Sequence, residues 1–400
     1  MKTRLGFAAV LTSLALGVAA CAPPPEPPAV PATKDGGVDP DLATRADEPA
    51  YVAPGPFTAG VTTVEIEPGR MMEIWYPAPA GSAAGLSPEV YRIRSFLAPG
   101  LAAVLSPSVD PPFETDAYRG LPVAGSGPFP LVLFSHGTMS YRLQSSTLTS
   151  HLASWGFVVM SPDYFERGLQ ALGGTPPAPT RSNAEITDLA MTAIEAADAA
   201  GPLAGSIDTS RLFPIGHSAG GSQSTQLAGS RTDVQSWISL SSGVNLTPSI
   251  FNPNPTVPAA LSNPDKTVMW LTGEIDGVAQ LPSVQNAFRY SAGERKLVVI
   301  PGAGHNNAVT DICEIGRADG GLIGLALSGG LFLPDFVINL ARDGCIVPPN
   351  RLSADVWPAV HHFVTAELRY RSGLDTEPVG LGSGVVSTFG TVTPTYLHDE

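Results

Sequence analysis

Eight short apolar runs, separated by stretches of helical character, constrain the fold more than any other feature of this chain. They are Val61–Glu67, Met71–Tyr76, Leu131–His136, Gly156–Ser161, Leu212–Gly216, Val234–Leu240, Thr267–Thr272 and Lys296–Ile300. Several are nearly continuous in Val, Ile, Leu and Phe, the pattern of parallel strands covered on both faces rather than of strands with one wet side. Helix-like segments lie between them around Leu143–Ser154, Asn183–Ala200, Ser218–Leu227 and Pro282–Ser291, and a last amphipathic segment runs near Ala354–Tyr370. This alternation predicts an α/β protein with a mostly parallel eight-stranded sheet and helices on both faces.

Two stretches interrupt the pattern. Residues 82–127 are rich in Pro and Gly around an apolar Phe96–Val104 stretch, and residues 306–350 contain the greasy Gly320–Leu333. Glycines, Pro334 and Asp335 break the second, so it reads as a lid or packed subdomain rather than a membrane span. The core domain is expected over residues 57–371, with an irregular Gly/Thr-rich tail over 372–400. A hydrophobic content of 43% in 400 residues supports a substantial core.

The N-terminus carries a different signal. Lys2 and Arg4 precede an apolar run from Leu5 to Ala20, the charged head and short apolar middle of a secretory signal over residues 1–20. Val18-Ala19-Ala20-Cys21 resembles the lipobox of bacterial lipoproteins, which implies acylation of Cys21; an ordinary signal peptide followed by a chance cysteine is the other reading. The proline-rich stretch to residue 56 reads as an extended tether. The expected location is the bacterial cell envelope, with membrane attachment only through that anchor. The remaining cysteines, Cys313 and Cys345, form an even pair suited to an oxidising compartment. A disulfide between them would stabilise by roughly 3–4 kcal/mol on the chain-entropy model, two free thiols being the alternative. A formal net charge of −14 argues against nucleic-acid partners and against electrostatic docking on anionic membranes.

Gly216-His217-Ser218-Ala219-Gly220 matches G-x-S-x-G, although roughly 0.4 such matches are expected by chance in so glycine-rich a chain. Context gives it weight. An apolar run leads into it and a helix-compatible segment follows, so Ser218 is expected on a sharp strand-to-helix turn, with the Ala219 N–H free at the helix N-terminus. A serine nucleophile needs a base, and the base needs an orienting acid. His305 follows the last run in a turn-forming stretch, Pro301-Gly302-Ala303-Gly304, and is the expected base. Asp276 follows Thr267–Thr272 and is the expected acid, with Glu274 as runner-up and Asp163 assigned to structure. Ser218, Asp276, His305 is the chain order of α/β-hydrolases. Upstream, Leu131–Thr138 reads as a strand ending in a small turn, from which the backbone N–H of Thr138, or of Met139, would face Ala219 as a second oxyanion donor. His136, His217 and Met139 are expected to line the site. His151, His361 and His362 fall in helix-like segments and His398 in the tail.

At these residues the chain resembles the group of α/β-hydrolases that contains plasma-type platelet-activating-factor acetylhydrolases, dienelactone-hydrolase relatives and cutinase-like polyester hydrolases. Phe134-Ser135-His136-Gly137 with Arg142, and Leu152 to Val159, look like the group's oxyanion strand, first helix and following strand. Gly216–Gly221 looks like its elbow, and Trp75-Tyr76-Pro77 like an early strand of the acetylhydrolases. The resemblance spans about residues 57–305 and implies ester hydrolysis by a Ser-Asp-His triad with no metal and no cofactor. Thr138 stands where the polyester-degrading members usually carry an aromatic residue, which weakens that assignment.

The expectation is therefore a monomeric serine hydrolase that forms an acyl-enzyme on Ser218 from a small-molecule or lipid ester. An acyltransferase using the same triad, a polyester hydrolase and a non-catalytic surface lipoprotein are the competing readings.

Overall fold

The computed structural model describes residues 45–171, 178–246 and 255–400. The signal segment, Cys21 and most of the tether lie outside the described residues. All eight apolar runs form strands, and among the described residues two further strands widen the sheet to ten. In chain order these are β1 (Thr58–Glu67), β2 (Arg70–Ala78), β3 (Ala117–Arg119), β4 (Phe129–Ser135), β5 (Val158–Pro162), β6 (Ile207–His217), β7 (Ser236–Leu240), β8 (Thr267–Gly273), β9 (Arg295–Ile300) and β10 (Thr395–Asp399). Their spatial order is β10-β9-β8-β7-β6-β4-β5-β2-β1-β3. From β9 to β5 every neighbouring pair is parallel. β2 runs antiparallel to β5 and to β1, and β10 runs antiparallel to β9. This is the α/β-hydrolase fold.

The ten strands correct the expected eight, and β10 corrects the expected irregular tail. Residues 372–400 contain a 3₁₀ turn at Ser383–Phe389 before β10, which pairs Leu297 with Leu397 and Val299 with Thr395. An edge strand is held by its ladder on one side only, so it needs no continuous apolar run.

The helices flank both faces: α1 (Pro99–Val104), α2 (Ser146–Ser154), α3 (Asn183–Ala199), α4 (Ala219–Ser230), α5 (Leu281–Tyr290), α6 (Gly321–Ser328), α7 (Asp335–Arg342) and α8 (Ser353–Ser372). Side chains alternate across a strand, so each central strand feeds two cores. Val132 and Phe134 join Leu148 and Leu152 of α2 and Phe363 of α8 on one face. Leu131 and Leu133 join Ile194 of α3, Leu227 of α4 and Phe288 of α5 on the other. Truncating any of these fully buried leucines to alanine removes about 2–5 kcal/mol of stability. α3 begins with a reciprocal cap, Ser182 and Glu185 each accepting the other's backbone N–H.

Both insertions are folded. Residues 82–127 hold a two-stranded ribbon, Val90–Tyr91 against Phe113–Glu114, as well as α1 and β3. Residues 306–350 hold α6 and α7, stapled by the disulfide between Cys313 and Cys345. Val109 of the first insertion lies against Gly329 of the second, where an added Cβ would stand 3.1 Å from a Val109 methyl. Among the described residues no helix is long and apolar enough to cross a membrane.

Candidate active site

Four loops at the carboxyl edge of the parallel block converge on one place, where open sheets of this kind bind ligands. They follow β4, β6, β8 and β9, and carry Thr138, Ser218, Asp276 and His305.

The turn after β6 is sharp. Ser218 has φ 58° and ψ −120°, a conformation rarely tolerated by a side-chain-bearing residue and of order 1–3 kcal/mol uphill. Its carbonyl accepts the first helical bond of α4, from Gly221 N–H at 2.9 Å. Two glycines make the turn possible. A Cβ on Gly220 would stand 1.9 Å from the Ser135 carbonyl of neighbouring β4, and one on Gly216 would stand 2.3 Å from the Gly220 carbonyl. Gly137 is equally constrained from the other side, since its Cβ would meet the Ser218 Cβ at 3.2 Å. The oxyanion-type turn and the elbow therefore touch at Gly137 and Ser218.

His305 is 1% exposed and its Nδ1 lies 2.9 Å and 3.1 Å from the two carboxylate oxygens of Asp276. A carboxylate only accepts, so Nδ1 carries a proton, and in the neutral imidazole that leaves Nε2 its lone pair. Nε2 is buried and has no hydrogen-bond partner among the described residues, and His305 lines the same cavity as Ser218. Burial works to raise the Asp276 carboxyl, but the His305 bond and charge, with the amides of Ala279 and Val278, outweigh it and hold the group below the ordinary range. Glu274, the runner-up acid, is exposed and accepts the Gly302 N–H at 3.1 Å instead. Asp163 is occupied by Arg142.

The Thr138 N–H makes no hydrogen bond among the described residues, and Ala219 opens α4, so its N–H has no helical acceptor. Met139 lines the cavity, but its N–H donates to the Arg167 carbonyl, which removes it as an alternative oxyanion donor. His217 lies along the cavity. His136 does not: it is 1% exposed, with Nε2 accepting the Tyr164 N–H at 3.1 Å and Nδ1 donating to the Gly137 carbonyl at 2.9 Å. Burial first, and then Arg167, pulls His136 down to about 3, so it stays a neutral brace for the turn.

Two supporting residues were not singled out from sequence. Gln144 accepts the Gly137 N–H at 3.0 Å through Oε1 and donates through Nε2 to His217 Nδ1 at 3.2 Å. His217 in turn donates through Nε2 to the His305 carbonyl at 2.9 Å. One chain of bonds thus joins the turn after β4 to the loop after β9. Asp343 accepts the N–H of His305 at 2.6 Å and that of Gly277 at 2.9 Å, tying the loop of His305 to the loop of Asp276. Neither residue sits in a local motif, so no sequence pattern marks them.

Above Ser218 and His305 lies a cavity of roughly 980 Å³, open mouth included. Its floor is Gly137, Thr138, Met139, Gln144, His217 and His305, and its walls come almost wholly from the two insertions. Among the described residues no cluster of His, Cys, Asp and Glu could hold a metal ion.

Comparison with known proteins agrees with this architecture. Residues 121–252 match the family model described as chlorophyllase, and residues 65–169 match that of platelet-activating factor acetylhydrolase, isoform II. Both are α/β-hydrolase families, each matched over less than half of the chain, and they support its resemblance to the α/β-hydrolase esterase group. No curated protein matches the chain. Among solved structures it is similar to a ferulic acid esterase from Streptomyces cinnamoneus at 20% identity and a TM-score of 0.49, over 80% of this chain and 92% of that one.

Proposed function

We propose that the protein is a carboxylic ester hydrolase in which Ser218 forms an acyl-enzyme, His305 is the base and Asp276 its orienting acid. The observation that carries this reading is the strained turn that presents Ser218 to a cavity shared with a histidine whose far nitrogen is held by a buried carboxylate. His305 Nε2 takes the Ser218 proton as Oγ attacks the ester carbonyl, and gives it to the departing alkoxide. The Thr138 and Ala219 amides stabilise the oxyanion of each tetrahedral intermediate. Water, deprotonated by the same nitrogen, then attacks the acyl-enzyme, and the nitrogen returns that proton to Ser218 Oγ as the acid leaves. The matched family models, both of hydrolase families, support the reaction class.

Steady-state hydrolysis of p-nitrophenyl acetate tests the assignment. Ser218→Ala and His305→Ala should each lower kcat by a factor on the order of a thousand or more, and Asp276→Ala should cost far more than Glu274→Ala. Equal losses at Asp276 and Glu274 would overturn the choice of acid. A Ser218→Ala variant with full activity would overturn the reading as a whole.

The N-terminal reading extends the proposal to place: an exported protein acylated at Cys21, supported by the Cys313 to Cys345 disulfide, which needs an oxidising compartment. Mass spectrometry of the mature N-terminus tests it. A diacylglyceryl cysteine is expected, and an unmodified Cys21 or an uncleaved Met1 would contradict it.

A further inference from the structure

The cavity above Ser218 differs in character between floor and walls. The floor is polar and belongs to the sheet-edge loops, whereas α1, α6 and α7 contribute side chains such as Leu101, Ile323, Ala326, Val337 and Ala341. A roof built by two separate insertions in mutual contact through Val109 and Gly329 closes the site on one side. It gives the site an apolar cover with an open mouth.

Among the described residues, the one cation in these walls is already spent. Arg94 gives its backbone N–H to Asp110 Oδ1 at 3.1 Å and its Nε to Asp110 Oδ2 at 3.2 Å. Its remaining nitrogens donate to the carbonyls of Ala102 and, at 2.7 Å, Leu105. Asp110, the only acid in the walls among the described residues, is neutralised by the same pair. Among the described residues an anionic ligand finds no free positive partner there, and a cationic one finds no free carboxylate. A hydrocarbon loses nothing and gains by leaving water.

We propose that this cavity binds one long uncharged hydrocarbon arm of the ester, on the acyl or the alcohol side, recognised by apolar contact alone. The small residues Ala326 and Ala341 set how much of the arm fits. The inference rests on the reading of Ser218 given above and names its substrate class: neutral esters with one extended aliphatic arm.

Two substrate series at concentrations below aggregation test it, p-nitrophenyl acyl esters from acetate to dodecanoate and alkyl acetates from methyl to dodecyl. In at least one series kcat/KM should rise roughly threefold to fourfold for each added methylene until the cavity is filled. Ala326→Phe, on α6, should lower the ratio of kcat/KM for decanoate over acetate, or for the decyl over the methyl ester, by tenfold or more. Leu101→Glu, on the partly exposed α1, should do the same through charge and guards against misfolding of the first variant. Flat profiles in both series, with acetate readily cleaved and Ser218 reactive, would overturn this inference while sparing the hydrolase reading. No cleavage of any ester by an enzyme whose Ser218 is also unreactive would remove both.

Discussion

Asp343 and His305 lie 38 residues apart in sequence, yet the Asp343 carboxylate accepts the His305 backbone N–H at 2.6 Å, and its other oxygen takes the Gly277 N–H beside Asp276. The insertion over residues 306–350 is therefore more than a cover. It returns a carboxylate to the two loops that set the relation of Asp276 to His305. Burial raises the Asp343 carboxyl, with the nearby Asp276 charge adding to it and the two amides opposing it. Asp343→Ala should lower kcat on the order of tenfold to a hundredfold, because a small displacement of the imidazole is enough for that. Asp343→Asn keeps one acceptor and should lose less. If burst kinetics show kcat unchanged in Asp343→Ala, the clamp has no catalytic consequence.

The staple that holds this segment lies two residues beyond Asp343, at Cys345. Opening a 32-residue separation should cost roughly 3–4 kcal/mol on the chain-entropy model. Cys313→Ser with Cys345→Ser should therefore melt at lower temperature and lose activity with it, as read by calorimetry and ester hydrolysis. Retention of the original melting temperature would contradict the account.

Strain at Ser218 separates function from stability. Both Ser218→Ala and Ser218→Gly remove the hydroxyl, but only glycine adopts φ 58°, ψ −120° without penalty. Ser218→Gly should be the more stable of the two inactive variants by about 1 kcal/mol in denaturant titration. The reverse order would show that the elbow stores no strain.

Four buried histidines, and the half-buried His361, shape the pH dependence of stability. Burial, the largest cause in each case, lowers His136 and His217 to about 3, His151 and His362 to about 4, and His361 well below its ordinary value. Between those values and about 6.5 the unfolded chain binds protons that the folded chain refuses, so stability rises with pH across that window and is lost on acidification. Each histidine contributes a slope of about 1.4 kcal/mol per pH unit. Asp311 opposes them: burial pushes it up to about 7 against bonds from Ser146 and Thr147, so its term falls as pH rises from about 4 to 7. Urea unfolding at pH 5 and 7 should show the lower stability at pH 5, with a smaller difference in His361→Gln. Equal stability at the two values would contradict the burial of neutral imidazoles.

Much of this was legible in the chain because buried parallel strands write themselves as apolar runs. The run Leu131 to Phe134 is fully buried from end to end, and the helix expected at Asn183–Ala200 forms at Asn183–Ala199, between a capping Ser182 and Gly201. The order of Ser218, Asp276 and His305 was readable because each ends a strand. What escaped has a common cause, dependence on tertiary partners. β10 reads Thr-Tyr-Leu-His-Asp and is a strand only because β9 offers its edge. His136 looked like a lining residue from its neighbours in sequence, whereas its ring turns away to meet the Tyr164 N–H. Gln144 and Asp343 act on residues 73 and 38 positions away, distances over which no periodicity or spacing carries information.

The central claim is that Ser218 is a nucleophile activated by His305, and covalent labelling tests it most directly. A fluorophosphonate probe should modify the folded protein at one residue, mapped by peptide mass spectrometry to Ser218. Labelling should vanish in Ser218→Ala and slow by at least a hundredfold in His305→Ala. An unlabelled, correctly folded wild-type protein, or labelling that persists in Ser218→Ala, would contradict the account.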